Sequence, residues 1–508
     1  MSASRERRKR MQDGNVPASA SQKETKKKLS EGWILAISIV LIVALVFGGI
    51  LGFRAYQRNR VVLTVGSHEV KVPEFNFFYN STVSSYTNYA NYFGIDTSTS
   101  LDKQNVTSDA QTYLSIFGFD TSSLSGQQAN EEGVYEDVTW AQIFASATKD
   151  TIVETYAVYH EAVAAGYTLD ADDVAEIEAE IAEIREIAVA QGEKPDELYA
   201  RVFGNGCDEE GYRNYMIVAH TASHYPDSLN YTDAEITARY EQSKEDFDVV
   251  SFYLYSAKAS DYAEKNEDGT TADPTEENKA AAKAAAEEMA KEFKLDNEKV
   301  TVCADYTKAT VTSSYGEEAA AWIFDTASVN GENVKLFEKD EDTYYVLKLA
   351  AKGDYTSYNA IELYVAADSE ETEEGETTAA EKIAAIEASL KEDGSEENFR
   401  TLVQEYAGED TDGTVEDLMR NSMAKVSKEL FSWGLEERKA GDYASFETSE
   451  GTIFLYITGS GKTHQSVSVS NMLKNEWYSS ITETAKANCG YDEDAAMAGN
   501  VGLIMKSN

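Results

Sequence analysis

Apolar and polar residues alternate along "VVLTVGSHEVKV", residues 61–72, on either side of Gly66 and Ser67. That period of two predicts a short β-hairpin. Pro73 then suits the first turn of a helix in which Phe75, Phe78 and Tyr79 fall at helical spacing. Further on, Ile152, Tyr156, Tyr159 and Val163 step by four, three and four, which places them on one helix face, and Gly166 is a suitable stop. Val174, Ile177, Ile181 and Ile184 repeat the pattern behind Asp170, a good N-cap. "CDEEGYRNYMIVAHTASHY" predicts another helix, and Thr232 with Glu235 forms a capping box for the next. Residues 94–136 are rich in Ser, Thr and Asp and hold neither period, so an irregular insertion is expected there. Residues 61–246 therefore predict a mostly helical domain fronted by a hairpin.

Beyond residue 246 the pattern changes. "FDVVSFYLYSA" predicts a strand, and "PTEENKAAAKAAAEEMAKEF" a helix with Asp273 as cap, Pro274 at its first position and Glu276 completing the box. "EEAAAWIFDTASVNGENVKLFEKDEDTYYVLKLA", Glu317 to Ala350, follows and ends in a strand. Then the order restarts: the strand "YNAIELYVAA", an acidic loop, a helix capped by Thr378 with Glu381, and "SKELFSWGLEERKAGDYASFETSEGTIFLYITG", Ser427 to Gly459. Leu254 and Leu363 lie 109 positions apart, Phe324 and Phe431 107, Val346 and Leu455 109. Such a register predicts one small α+β domain built twice, over 247–352 and 355–462. A helical tail, 463–508, closes the chain.

Charge changes the picture at the N-terminus. Residues 1–60 hold twelve Lys/Arg against four Asp/Glu, in a chain whose net charge is −45. Within this basic stretch, "WILAISIVLIVALVFGGILGF" (33–53) has no charged residue and is long enough to cross a bilayer as a helix. Nine Lys/Arg precede it and three follow closely, so the positive-inside rule predicts a cytoplasmic tail (1–32) and an extracytoplasmic body. The expectation at this point is a single-pass membrane protein of α+β class with one transmembrane helix. The acidic body argues against a nucleic-acid partner. Cys207, Cys303 and Cys489 are too scattered for a zinc or redox motif, and the five histidines form no metal motif, so neither metal nor cofactor is expected. "GSGKT" at Gly459–Thr463 lacks the leading spacing of a P-loop and predicts a turn.

Several segments resemble the SurA/PrsA family of foldases. "VGSHEVKVPEFNFFY", "AVYHEAVAAGYTLDADDV" and "ELYARVFGNGCDEEGYRNYM" are similar to its N-terminal chaperone domain. "ENFRTLVQEYAGEDTDG" and "FSWGLEERKAGDYASFETSEGTIFLYI" are similar to parts of a parvulin-type prolyl isomerase domain. The resemblance implies a SurA-N-like helical domain followed by two tandem parvulin-like domains, and unfolded or newly translocated proteins as partners. It implies client contact through Phe75, Phe78, Tyr79, Tyr86 and Tyr89. Parvulins usually carry a histidine in the first strand and another in the last. The aligned positions are Tyr253 and Tyr345 in the first repeat and Glu362 and Ile453 in the second, so neither repeat keeps the histidines. The acidic or Cys position maps to Glu409 or Asp410 in the second repeat and to Cys303 or Asp305 in the first. Three functions stay open: a foldase that binds unfolded chains, an active prolyl isomerase using Tyr253, Tyr345, Glu362 and Asp410, and a non-catalytic envelope scaffold.

Overall fold

The structure, a computed structural model, describes residues 56–266, 269–325, 333–368, 377–408 and 411–497. Contacts divide the chain into two units: described residues up to Ser223 together with those from Thr484, and His224–Glu483.

The first unit opens with the expected hairpin, β1 (Val61–Val65) and β2 (His68–Lys71), turned at Gly66, whose φ of +59° favours a residue without Cβ. Helix α1 (Val72–Ser85) follows, with Pro73 in its first turn. Next come α2 (Ala90–Phe93), β3 (Asn105–Thr107), α3 (Ser108–Ile116) and β4 (Val134–Thr139), and β3 pairs with β4. The expected irregular insertion is thus an ordered part of the core. Leu101, Val106 and Leu114 are sparse in sequence, yet all three are fully buried, while Asp96 and Asp120 tie the intervening turns to Ser98 and Ser122.

Helix α4 (Trp140–Ala164) is capped by a reciprocal Thr139–Gln142 box. Helix α5 (Ala171–Gln191) is capped by Asp170, and α6 (Pro195–Val202) and α7 (Glu209–Ser228) follow. Ile152, Tyr156, Ile177 and Ile181 are buried as their spacing predicts, whereas Val163 and Val174 are exposed.

The second unit contains α8 (Asp233–Gln242), β5 (Val249–Lys258), α9 (Glu276–Lys291), β6 (Val300–Thr307), α10 (Lys308–Tyr315), α11 (Glu317–Asp325), β7 (Val334–Asp340) and β8 (Thr343–Lys352). Then come β9 (Thr356–Ala366), α12 (Ala379–Glu392), α13 (Glu396–Ala407), β10 (Thr414–Leu418), α14 (Arg420–Val426), α15 (Lys428–Gly434), β11 (Tyr443–Glu447), β12 (Gly451–Thr463) and α16 (His464–Asn488). The two sheets have the same antiparallel order, β6-β5-β8-β7 and β10-β9-β12-β11. Only the second has α13 between its first helix and its edge strand. The cap of α9 is Thr275 with Asn278, two residues after the expected Asp273, because the Thr275 hydroxyl reaches the Asn278 amide. "GSGKT" lies within β12 rather than in a turn.

Alternation along the strands sorts side chains to two faces. In the first sheet Val250, Phe252, Leu347 and Leu349 pack under α10 and α11. In the second, Ile361, Leu363, Val365 and Phe454 pack under α12 and α13. The remaining faces share one core, in which Tyr253, Tyr255 and Val346 of the first repeat meet Leu430, Phe431 and Leu455 of the second.

The first unit is completed by β13 (Gly490–Tyr491), which pairs with β1, and α17 (Glu493–Met497), whose Ala495 and Ala496 are fully buried. The helical tail expected at 463–508 therefore contributes a strand to the hairpin sheet.

Among the described residues, no helix is long and apolar enough to cross a membrane. The longest are amphipathic; α4, for example, carries Lys149, Asp150, Glu154 and Glu161. The expected fold with one transmembrane helix, and the single-pass placement with a cytoplasmic N-terminus, are corrected accordingly. The segment that prompted them, 33–53, lies outside the described residues.

Candidate functional site

In the first repeat the parvulin-aligned tyrosines do not meet. Tyr253 on β5 faces the core shared by the repeats, where its ring stands edge-on to Phe431 at 5.6 Å and its hydroxyl lies 2.7 Å from the Ser432 hydroxyl. Burial pushes its pKa up, against the Ser432 hydrogen bond. Tyr345 on β8 faces the opposite core, edge-on to Tyr315 at 5.2 Å. Two side chains on opposite faces of one sheet cannot line one pocket. Cys303 is buried beside Tyr315, with Sγ 3.3 Å from the Tyr315 hydroxyl, and burial raises its pKa, which makes it a poor nucleophile.

In the second repeat Glu362 and Ile453 do share a face, since Leu455 pairs with Glu362 and Ile453 with Tyr364. Ile453 offers no donor. Glu362 is half-buried, and desolvation raises its carboxyl pKa. Asp410 and Glu409 lie outside the described residues.

Asp305 acts as a clamp within the second unit. Its backbone is left-handed, φ +57°, and its amide donates to the Ser251 hydroxyl at 3.1 Å. Its carboxylate accepts from the Tyr355 hydroxyl at 2.7 Å and from the Asn421 amide at 3.0 Å. Asp417 repeats the device, with φ +49° and a 3.0 Å bond from the Ser357 hydroxyl. In sequence, Asp305 and Asp417 sit 112 positions apart, off the register of the hydrophobic landmarks, which hides their correspondence.

The first unit holds the residues expected to touch clients. Phe75 and Tyr79 are fully buried and Phe78 nearly so. Glu74 in the same helix is also buried, accepting from the Tyr156 hydroxyl and lying 2.9 Å from His68 Nε2. That cluster ties the hairpin to α4 and gives the "PEF" glutamate a structural role.

Phe78 and Tyr86 do reach a cleft of about 440 Å³, together with Phe117 and Phe119. Asp120, Asp150 and Glu154 line the same cleft. The aromatic surface continues past its edge: Tyr89 stands 4.8 Å from Phe117 and 6.4 Å from Tyr92, and Tyr92 lies 5.9 Å from Tyr113. These tyrosines are 41%, 59% and 38% exposed, and Ile116 beside them is 71% exposed. Phe117, Phe119 and Tyr113 come from the segment expected to be irregular. The only signal for them in sequence was the aromatic content of "YLSIFGF".

No protein-family model matches this chain, and no curated protein matches it.

Proposed function

We propose that this protein is a polypeptide-binding chaperone of the holding type. Its resemblance to SurA/PrsA foldases would then concern client binding, with the two parvulin-like repeats serving as a non-catalytic scaffold. One observation carries the reading: the cleft of the first unit combines an aromatic lining with carboxylates and opens onto exposed tyrosines. Aromatic side chains supply large contact area at low entropic cost, which suits many different apolar segments. Contiguous exposed apolar surface marks interaction sites. Asp150 and Glu154 are paired with Lys149 and Lys486, so the cleft itself suits apolar segments, and the net charge of −45 attracts basic ones at longer range.

A prolyl isomerase must hold the twisted amide better than the planar one, across a barrier of about 18–20 kcal/mol. With Tyr253 and Tyr345 on opposite faces and Ile453 in place of a donor, neither repeat presents the facing donor pair that the resemblance would require.

The test is suppression of light scattering from a reduced, aggregating client by the full chain. Paired Tyr86→Ser and Phe117→Ser substitutions should raise the protein concentration needed for half suppression at least about fivefold, equivalent to roughly 1 kcal/mol. Unchanged suppression in that variant would refute the cleft as the client site. Acceleration of Xaa-Pro isomerisation by the parent chain would refute the non-catalytic reading.

A further inference from the structure

A second cavity lies wholly within the second unit. It has a volume of about 390 Å³ and opens beside the junction of β9, β10, α14 and α15. Arg420 lines it, with its guanidinium carbon stacked 3.8 Å over the Tyr355 ring. Its Nε is buried without a hydrogen-bond partner, and among the described residues no carboxylate lies within ion-pair distance of the guanidinium. Asp305 and Asp354 attract it from beyond that distance, and Asp305 Oδ2 is already occupied by the Tyr355 hydroxyl and the Asn421 amide. This is unusual in a chain with 90 acidic and 45 basic side chains, where a cation has carboxylates to spare. The other arginine of the cavity is engaged: Arg438 pairs with Glu436 at 2.6 Å and stacks on Trp433.

We propose that this cavity binds a carboxylate carried on an apolar group, with the Arg420 guanidinium as its counter-ion. Arginine offers a planar fork that matches a carboxylate with two parallel N–H···O bonds. Leu418, Met423 and Leu435 line the same cavity and supply the apolar surface for the group that bears it. Glu437 also lines the cavity, so a ligand meets two guanidiniums, one of them already paired with Glu436, against one carboxylate, a balance that suits a monoanion better than a phosphate dianion. The chemistry is shared by a polypeptide C-terminus ending in an apolar residue and by a free small carboxylic acid. Only the first source rests on the chaperone reading. Client suppression and carboxylate binding are read separately, so failure of one leaves the other standing.

The probe is N-acetyl-leucine, titrated into the full chain by calorimetry, with N-acetyl-leucinamide as the uncharged control. The acid should bind at least tenfold more tightly than the amide, and Arg420→Gln should abolish the difference. Ser460→Trp, which fills the cavity from its rim on β12 without touching the charge, should abolish binding as well. A nonapeptide ending in leucine that binds more tightly than N-acetyl-leucine assigns the site to chain termini, and one that binds no better assigns it to small acids. Equal affinity for acid and amide, or binding of the acid unchanged in Ser460→Trp, overturns the proposal.

Discussion

At the scale of single residues, charge in the second unit is managed around one tyrosine. The Tyr355 ring packs against both the Arg420 guanidinium and His464, whose ring centroid is 5.3 Å away. His464 is buried, its Nε2 lies 3.2 Å from the Ser468 hydroxyl, and its Nδ1 has no partner among the described residues. Desolvation lowers its pKa; attraction from Asp305 and Asp354 opposes this and repulsion from Arg420 adds to it. The sign for stability follows from linkage. As pH falls through about 6.5 the unfolded chain takes up a proton on this ring, while the folded chain resists until a lower pH. The stabilisation is therefore full above the unfolded value and is lost as pH falls toward the folded one. His464→Phe keeps the stack on Tyr355 and removes the titration. Between pH 7 and pH 5 the urea midpoint should fall less steeply in this variant than in the parent, and equal slopes would refute the assignment.

At the scale of elements, local periods were legible and tertiary partners were not. The hairpin around Gly66, the Thr232–Glu235 and Thr378–Glu381 caps and the paired order of strands and helices all rest on neighbours in sequence, so pattern sufficed. The ordered segment between residues 94 and 136 was missed because its core contacts rest on single, widely spaced residues such as Leu101 and Leu114. The faces of Tyr253 and Tyr345 were missed for a different reason. Alignment places a residue on a strand, but only the pairing of Ser256 with Tyr345, three positions from Tyr253, shows that the two point opposite ways. Cleft and cavity needed the folded chain, since Phe78 and Phe117, or Tyr358 and Arg438, are distant in sequence. One consequence concerns α15, which carries Phe431 into the core shared by the two repeats, fully buried against Tyr253. Phe431→Ala should cost about 3–5 kcal/mol, the range for an emptied aromatic site. Chemical denaturation followed by tryptophan fluorescence, to which Trp433 beside the site contributes, would measure it. A loss below about 1 kcal/mol would show that the repeats do not depend on this contact.

At the scale of the whole chain, the first unit is built from both ends of the described sequence. β13 adds the third strand to the hairpin, pairing Tyr491 with Leu63 and Gly490 with Thr64. The Asp492 amide donates to the Val62 carbonyl at 2.8 Å, and its carboxylate pairs with Arg60 at 3.0 Å. Helix α17 packs on α1, α4 and β1, and buries Ala495 and Ala496 completely. The ion pair contributes little, because surface pairs are worth about 0–1 kcal/mol. More stabilisation comes from the apolar surface covered by Ala495, Ala496 and Tyr491 and from the strand edge that β13 satisfies; together these contribute roughly 2–4 kcal/mol. Removing residues 489–508 after the end of α16 should therefore loosen the first unit by that amount and leave the second intact. Hydrogen exchange should quicken in residues 61–85 and stay unchanged in β9 and β12. Since α1 and α4 also form the walls of the aromatic cleft, the truncated chain should lose client holding while still binding N-acetyl-leucine. Unchanged exchange in the hairpin would mean that β13 is dispensable. Loss of both activities together would mean that the units do not fold independently.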